Sequence, residues 1–366
     1  LGTIAAAAAA NPNILFIAVD DLRPSIGCYG DEVAVTPNLD RLAKRGVRFE
    51  RAYCQYPLCG PSRASFMTGL YPDQSLIHRN AILIRKHLPN VVTMSQHFKN
   101  HGYYSARVSK IYHMGVPIGI EQGSHGADDE ASWTERFNSK GPEWRAPGDG
   151  ETLQNNPDGK KPAVGGNTFV VVEADGDDLV HSDGRTAAKA CELISRQKDS
   201  GKPFWLGVGF VRPHVPFVAP RSYYKPFLPY SKMGLPSRIE GDWDDIPRAG
   251  INYKTSANMK MDLRRQRKAI GGYYASVAYM DAQVGKVLDA LDQAGLTEKT
   301  IIIFTSDHGL AIGSHGLMGK QNMYEHTIGV PLIFSGPGIP GNELRTAQIY
   351  LRDLFPTTCD LARIAI

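Results

Sequence analysis

The segment Asn13–Val19 is the feature that most limits how this chain can fold. Its last six residues are all apolar, and two aspartates, Asp20 and Asp21, follow at once. An apolar run without polar alternation predicts a strand that is buried on both faces, as in the centre of a parallel sheet. Further apolar runs predict strands at 103–108, 204–210, 300–305 and 330–335. Helical patterns occur at 36–46, 61–69, 91–100 and 262–294. The sequence therefore predicts an α/β fold, with a large, mostly parallel sheet and helices on both of its faces.

The length and composition favour one large domain. Of the 366 residues, 42% are hydrophobic and 21% are charged, which is ordinary for a globular chain. We predict a single α/β domain at 13–366, with a loop-rich insertion at about 115–178, where turn residues are frequent and periodicity is weak. The net charge of +4 is spread along the chain, which predicts no nucleic-acid partner. No apolar stretch has the length of a membrane span, so none is predicted.

The N-terminal residues and the cysteines bear on localisation. Residues 1–12 include six consecutive alanines at 5–10, a run that resembles the end of a signal peptide. We predict a disordered tail or signal-peptide remnant on an exported protein. The chain has no Asn-x-Ser/Thr sequon, which favours a bacterial periplasmic or extracellular protein over a lysosomal one. The five cysteines are irregularly spaced and predict neither a disulfide framework nor a zinc site.

Polar side chains follow three of the predicted strands. They are Asp20 and Asp21, His214, and Asp307 and His308. Open α/β sheets bind ligands beyond the carboxyl ends of their strands, so we expect these side chains to converge there. Carboxylates are hard oxygen ligands, and the three aspartates therefore suit a calcium ion.

The sharpest local motif is Cys-Gly-Pro-Ser-Arg at 59–63, followed by Thr-Gly at 68–69. It resembles the signature of the sulfatase family, in which a maturation enzyme oxidises the Cys to formylglycine. The strand and double aspartate at 13–23 and the Asp-His-Gly at 307–309 resemble two other motifs of this family. The resemblance covers nearly the whole chain. The segment 20–30 is most similar to the iduronate-2-sulfatase branch.

The resemblance implies a fold of the alkaline phosphatase-like superfamily and two sets of site residues. The implied ligands of a calcium ion are Asp20, Asp21, the oxidised Cys59, Asp307 and His308. The implied catalytic residues are Cys59, Arg63, Lys110, His113, His214 and Lys320. Most sulfatases carry Asn at the position of His308, and imidazole is a poorer match to calcium. The same replacement occurs in the iduronate branch.

Each implied catalytic residue has an expected role. Lys110 and Lys320 are expected to bind sulfate oxygens, and Arg63 to fix the nucleophile by hydrogen bonds. His113 is expected to take a proton during sulfate release, and His214 to contact sulfate and protonate the leaving alcohol.

The chemistry of a sulfate ester agrees with the motif. The ester is anionic, so its hydrolysis needs an activated nucleophile in a positive environment, such as the N-terminus of a helix. A hydrated aldehyde supplies two hydroxyls, one to attack sulfur and one to expel sulfate. The resemblance therefore implies a sulfuric ester hydrolase that acts on a sulfated carbohydrate, such as a 2-O-sulfated uronic acid of a glycosaminoglycan or another polysaccharide. A formylglycine-generating enzyme or another sulfatase-maturing enzyme is the implied maturation partner.

Two other functions fit parts of the pattern. A phosphate or phosphonate monoester hydrolase of the same superfamily shares the metal site, and phosphonate monoester hydrolases share the modified Cys. A catalytically inactive protein that binds sulfated glycans would keep the fold. The family usually continues into a smaller C-terminal subdomain. We expect this subdomain to be missing here, because of truncation, because it is a separate chain, or because this member lacks it.

Overall fold

The structure is a computed structural model that describes residues 11–154, 168–237, 239–251 and 261–366. The predicted tail at 1–12 lies outside the described residues, apart from Asn11 and Pro12. The strands of the described ranges are β1 (Asn13–Val19), β2 (Gly46–Tyr53), β3 (Tyr104–Ser109), β4 (Glu135–Phe137), β5 (Gly148–Thr152), β6 (Val170–Ala174), β7 (Phe204–Gly209), β8 (Phe217–Pro220), β9 (Thr300–Ser306), β10 (Ala311–Ile312), β11 (Met318–Gly319), β12 (Gly329–Ser335) and β13 (Glu343–Tyr350). The α-helices are α1 (Pro37–Lys44), α2 (Cys59–Thr68), α3 (Pro72–Ser75), α4 (Ile84–His87), α5 (Met94–Asn100), α6 (Ile118–Gln122), α7 (Ser182–Gln197), α8 (Leu263–Gln293), α9 (Glu325–Ile328) and α10 (Leu354–Leu361). Short 3₁₀ segments occur at Gly27–Tyr29, Glu130–Ser132, Glu143–Arg145, Asp178–Val180, Arg221–Phe227, Tyr230–Lys232, Arg248–Gly250, Thr297–Lys299, Ser314–Gly316 and Leu351–Asp353.

Eight strands form the main sheet, in the order β13-β2-β12-β9-β1-β7-β3-β4. β12 runs antiparallel to β2 and to β9. The other neighbouring pairs of this sheet are parallel. The predicted mostly parallel sheet is therefore confirmed. A smaller sheet has the order β5-β6-β8, and β10 pairs with β11.

The strand β1 lies inside the main sheet, between β9 and β7, and all seven of its residues are buried. Successive side chains of a strand point to opposite faces of the sheet. Leu15, Ile17 and Val19 pack in one apolar core with α1, α7 and α8. The alternate apolar residues of the strand pack in a second core with α2, α5 and α10. Burial against two cores explains why this segment contains no polar alternation.

The longest predicted helix is confirmed as α8, which has 31 residues and begins after the N-cap Asp262. Gly271 and Gly272, which are poor helix formers, lie within the continuous helix. A Cβ on Gly271 would lie 2.5 Å from the Tyr230 ring, and one on Gly272 would lie 2.6 Å from Val171. The two glycines therefore allow close packing rather than a break. Neither α8 nor another helix of the described ranges has the combined length and apolar character of a membrane span.

The segment 115–178 contains more regular structure than its composition predicts. β4 pairs with β3 and extends the main sheet, while β5 and β6 form the smaller sheet with β8. The loop prediction is wrong for these strands. Each has only three to five residues, so no periodic pattern can develop within it. Residues 155–167 of the predicted insertion lie outside the described residues.

Candidate active site

The carboxyl ends of four adjacent strands carry most of the predicted site residues. They are Asp20 and Asp21 after β1, Asp307 and His308 after β9, Lys110 after β3, and His214 in the loop after β7. All six side chains are buried, with exposed fractions of 4% or less. Asp21 has a φ of 64°, and Ser109, just before Lys110, has a φ of 59°. Residues with side chains rarely adopt this left-handed conformation, and such strain is concentrated at functional sites.

Cys59 is the first residue of α2 and is fully buried. Its Sγ lies 3.3 Å from Asp20 Oδ1, 3.4 Å from His308 Nε2 and 3.3 Å from Lys320 Nζ. The helix begins two residues before the predicted start at Pro61, because the first turn of a helix tolerates a residue without an N–H. Burial and the neighbouring Asp20 raise the pKa of the Cys59 thiol well above its usual range. The unmodified side chain is therefore a neutral thiol.

Arg63 is fully buried in α2 and joins the helix to three strand ends. Its Nε donates to Asp307 Oδ2 at 2.8 Å, and one terminal nitrogen donates to the carbonyl oxygens of Lys110 and Ile111. The other terminal nitrogen lies 3.6 Å from Asp20 Oδ1. Burial opposes the charge of Arg63, but Asp307 and Asp20 raise its pKa, so the guanidinium stays charged. It thus fixes α2 against the ends of β1, β3 and β9.

Four side chains form a potential metal site. Their ligand atoms, from Asp20, Asp21, Cys59 and His308, all lie within 4.8 Å of one another. His308 Nδ1 lies 2.8 Å from the Gly309 carbonyl oxygen, which can only accept, so Nδ1 carries a proton and Nε2 is the nitrogen that faces the cluster and could bind a metal ion. The buried Asp21 Oδ2 has no hydrogen-bond partner. Two buried carboxylates, one with an unsatisfied oxygen, fit a hard divalent cation.

Asp307, the remaining predicted ligand, lies beside this group. Its Oδ2 accepts from Arg63 Nε and lies 3.8 Å from His308 Nε2. Its Oδ1 accepts from the backbone N–H groups of Asp21 and His308, at 3.2 and 2.9 Å. The carboxylate therefore orients its neighbours in this structure, and its role as a metal ligand stays a prediction.

Two buried lysines contact the two aspartates. Lys110 Nζ pairs with Asp20 Oδ2, and Lys320 Nζ lies 2.8 Å from Asp21 Oδ1. Burial would raise the pKa of Asp20, but Lys110 and other nearby cations hold it well below its usual range. Burial also opposes the charge of Lys320, but Asp21, together with Asp20 and Asp307, raises its pKa. Lys320 therefore carries a positive charge beside Cys59 at neutral pH.

The two predicted catalytic histidines approach the cluster from different loops. His214 Nε2 lies 3.8 Å from Asp21 Oδ2, while its Nδ1 contacts the Val215 carbonyl oxygen. Burial above all lowers the pKa of His214 well below its usual value. His113 is half-buried, and burial together with Lys110 lowers its pKa to about 2. Both rings are therefore neutral at pH 7.

Two residues that the sequence did not single out support the site. Asn80 Oδ1 accepts a hydrogen bond of 2.8 Å from the Gly60 N–H in the first turn of α2. Ser306 Oγ accepts from the Leu22 N–H at 2.9 Å and donates to the His308 carbonyl oxygen at 2.8 Å. Ser306 could have been suspected because it precedes the Asp-His-Gly motif. Asn80 is distant from every motif, and no local pattern indicates its role.

Comparison with known proteins gives a consistent result. A sequence model of the sulfatase family matches residues 12–364. Iduronate 2-sulfatase of Homo sapiens is 36% identical over 339 residues, which cover 89% of this chain and 60% of that protein. A sulfatase of Formosa agariphila is 31% identical over 363 residues, which cover 96% of this chain and 69% of that protein. The chain thus spans about 60% of the length of the iduronate 2-sulfatases that it matches.

Solved structures share the fold. Phosphonate monoester hydrolase of Agrobacterium radiobacter has a TM-score of 0.74 and 22% identity, and the match covers 97% of this chain and 74% of that chain. A 2-O GAG sulfatase has a TM-score of 0.69 and 24% identity, and the match covers 97% of this chain and 71% of that chain. The family-wide sequence match extends over almost the whole chain, and its cysteine motif lies at the carboxyl ends of the central strands. This chain belongs to the sulfatase family.

Proposed function

We propose that the chain carries the catalytic site of a sulfuric ester hydrolase, which removes sulfate from a sulfated carbohydrate. The observation that carries this proposal is the environment of Cys59, the cysteine of the sulfatase motif. Its Sγ lies within 3.4 Å of an aspartate, a lysine and a histidine, at the N-terminus of α2. Lysine cations and a helix N-terminus both attract an anionic ester.

Unmodified Cys59 is poorly suited to attack sulfur. Burial and Asp20 raise the pKa of its thiol, whereas the thiolate is the nucleophilic form. We infer that a sulfatase-maturing enzyme oxidises Cys59 to formylglycine, whose hydrate supplies one hydroxyl to attack sulfur and a second, once deprotonated, to expel sulfate. A side chain with a single hydroxyl lacks the second function, so serine at this position should not support repeated turnover.

The cationic side chains suit the binding of the ester. Lys320 and Lys110 supply positive charge to the non-bridging sulfate oxygens, and their fixed positions in a buried site strengthen that interaction. Arg63 holds the start of α2 and thereby the nucleophile. His113, a neutral ring at pH 7, accepts the proton from the remaining hydroxyl during sulfate release.

His214 protonates the leaving alcohol in this proposal. Its Nδ1 carries the proton of the neutral ring, because the Val215 carbonyl oxygen can only accept. A bound anionic ester favours the imidazolium and raises the pKa of the ring. The additional proton on Nε2 then passes to the alcohol oxygen as the bond between sulfur and that oxygen breaks.

The donor set fits a calcium ion. Asp20, Asp21 and His308 would hold it together with the oxidised side chain at position 59, and Asp307 lies beside them. A bound Ca²⁺ would supply fixed positive charge next to the sulfate oxygens.

The proposed substrate class is a 2-O-sulfated uronic acid or a related sugar of a glycosaminoglycan or another polysaccharide. Its support is the 36% identity to iduronate 2-sulfatase. A groove of about 550 Å³ is also lined by Pro57, two residues before Cys59, and by Gln321, the residue after Lys320. Tyrosine rings offer a sugar an apolar face, and glutamine amides offer hydrogen bonds to its hydroxyls. The groove is lined by side chains of both kinds, which are those of Tyr56, Tyr71, Gln55, Gln74 and Gln321. An exported, periplasmic or extracellular bacterial enzyme would meet such polysaccharides.

Sulfate release by protein produced together with a formylglycine-generating enzyme tests the proposal. Mass spectrometry of the peptide with residue 59 gives the converted fraction, and a panel of sulfated sugars and phosphonate monoesters gives the specificity. We expect sulfate release in proportion to conversion and no turnover by Cys59→Ala or Cys59→Ser. Normal turnover by Cys59→Ala would refute the assigned nucleophile. Faster hydrolysis of a phosphonate than of every sulfate ester would identify a phosphonate hydrolase, and binding without hydrolysis by converted protein would indicate a glycan-binding protein.

A further inference from the structure

A buried ion pair lies directly behind the loop that carries His214. Arg212 and Glu143 are 1% and 3% exposed, and the guanidinium contacts the carboxylate. We propose that Arg212 is a positioning residue, which Glu143 and Asp183 hold in place and which fixes His214 in the orientation needed to protonate the leaving alcohol. This inference rests on the proposed function, because it builds on that role of His214.

The Arg212 side chain binds the backbone of its own loop. One terminal nitrogen donates to the His214 carbonyl oxygen at 2.8 Å and also contacts the Pro216 carbonyl oxygen. The other terminal nitrogen donates to Glu143. A planar guanidinium presents its donors in a rigid fork. The orientation of the fork relative to Glu143 therefore determines the path of the loop at His214 and at Pro216, two residues later.

The first turn of α7 holds the same loop from the other side. The two carboxylate oxygens of the fully buried Asp183 accept from the backbone N–H groups of Val211 and Arg212, each at 2.8 Å. Ser182 Oγ, in the same turn, donates to Glu143 Oε1 at 2.9 Å. The loop, the helix and Glu143 therefore form one closed network of hydrogen bonds.

This network restricts the His214 ring to one direction. The backbone N–H of His214 donates to the Val211 carbonyl oxygen at 2.9 Å, and the ring Nδ1 of His214 contacts the Val215 carbonyl oxygen. The remaining ring nitrogen, Nε2, lies 3.8 Å from Asp21 Oδ2, at the catalytic cluster. A displacement of about 1 Å at a catalytic group can cost on the order of 10²-fold in rate. Loss of the Arg212 contacts should therefore impair the proton transfer without removing the histidine.

Glu143 connects this network to the segment 115–178. Its φ of 41° is left-handed, a conformation that a non-glycine residue keeps only where its surroundings hold it. Its two carboxylate oxygens are bound by Ser182 and Arg212. A residue of this segment is thereby tied to the loop of the proposed acid.

The test compares two leaving groups. 4-Nitrophenyl sulfate releases a stabilised phenolate, whereas a sugar sulfate releases an alcohol that needs a proton, so only the second substrate depends strongly on an acid. For Arg212→Lys and Glu143→Gln we expect kcat on the fastest sugar sulfate of the panel to fall about 10²-fold. We expect kcat on 4-nitrophenyl sulfate to fall by less than about threefold. His214→Ala should have the same selectivity, and adding Arg212→Lys to it should cause no further loss on the sugar sulfate.

Arg85→Lys is a matched control, because Arg85 also binds a carboxylate, that of Asp129, through two hydrogen bonds of 2.9 Å. It should leave both activities unchanged. Equal losses on the two substrates would overturn the proposal, because a purely structural defect does not depend on the leaving group. If Arg212→Lys fails to fold, Glu143→Gln, which keeps the side-chain shape, provides the same comparison. If His214→Ala lowers kcat equally on both substrates, the proposed function of His214 is refuted. If His214→Ala lowers kcat selectively on the sugar sulfate but Arg212→Lys and Glu143→Gln do not, only the role of Arg212 is refuted.

Discussion

Replacement of Lys320 by Met removes one positive charge beside Cys59 with little change in side-chain length. Lys320 Nζ lies 3.3 Å from Cys59 Sγ and is buried. A sulfate bound at Cys59 would bring an anionic oxygen to about 4 Å from Nζ, and two unit charges at that distance attract by about 4 kcal/mol at an effective dielectric constant of about 20. Each 1.36 kcal/mol corresponds to about tenfold in rate, so we expect kcat/KM to fall about 10³-fold.

This loss should appear mainly in KM. The sulfate group is anionic both in the bound ester and in the transition state, so Lys320 stabilises both. An interaction of equal strength in the two states changes KM and leaves kcat nearly unchanged. Lys320→Arg keeps the charge and should recover part of the loss. Steady-state kinetics on the fastest sulfated sugar of the panel, with saturating calcium and a measured formylglycine content, would give both constants.

Lys268→Met is the control for this prediction. Lys268 Nζ also contacts a carboxylate, at 2.9 Å from Glu151 Oε2, but this pair lies outside the catalytic cluster. The kcat/KM of Lys268→Met should equal that of the unchanged protein. If Lys320→Met keeps kcat/KM within about tenfold of that value at equal conversion and equal Tm, then Lys320 does not face the bound sulfate.

Chelation of calcium should lower both sulfate release and Tm, because a ligand that binds only the native state at a hundredfold excess over its Kd stabilises it by about 3 kcal/mol. An unchanged Tm in scanning calorimetry would contradict the assigned metal site. Gly209→Ala should greatly reduce kcat, because its Cβ would lie 2.2 Å from the Lys110 backbone and displace that residue, and full activity of the variant would show that the strand end can adjust. Asp281 accepts hydrogen bonds from the first turn of α1, and burial raises its pKa to about 6, above the value of about 3.9 expected in the unfolded chain. Protonation of Asp281 therefore stabilises the folded chain, by about 3 kcal/mol. This contribution is complete below about pH 4 and is lost as the pH rises through about 6. Urea unfolding should therefore give the unchanged protein a larger advantage over Asp281→Asn at pH 4 than at pH 7, and a difference that is independent of pH would contradict this.

The elements with local signals were the predictable part of the fold. β1 is buried on both faces, and this leaves a continuous apolar run that can be recognised without knowledge of the neighbouring strands. The helix α8 begins and ends within one residue of its prediction. Its N-cap, Asp262, is a local feature, since the side chain accepts from the backbone N–H of Arg265, three residues later.

The strands β2 and β13 could not be predicted in this way. β13 is an edge strand whose residues are mostly exposed, so its sequence lacks an apolar pattern. β2 carries exposed and half-buried residues in its centre. Both strands are defined by pairing partners that are distant along the chain, since β2 pairs with β12 and β13. Such long-range pairing leaves no local mark in the sequence.

The candidate site was partly predictable for a related reason. Asp20, Asp21, Asp307 and His308 follow strands, and parallel strands bring such residues together at one edge of a sheet. Lys320 follows the two-residue strand β11, which has no sequence signal of its own, and only the family resemblance selected it. The resemblance did not indicate that Asp307 binds Arg63, because that contact depends on how α2 packs against the sheet.

The burial of Cys59 affects how its maturation should be measured. The thiolate is the form of cysteine that reacts with alkylating reagents, and burial raises the pKa of Cys59 and of the other four cysteines as well. Iodoacetamide should therefore label the native protein slowly, whether or not position 59 has been oxidised. After unfolding in denaturant, unconverted chains should take up five labels and converted chains four, because the sequence contains five cysteines and formylglycine has no thiol.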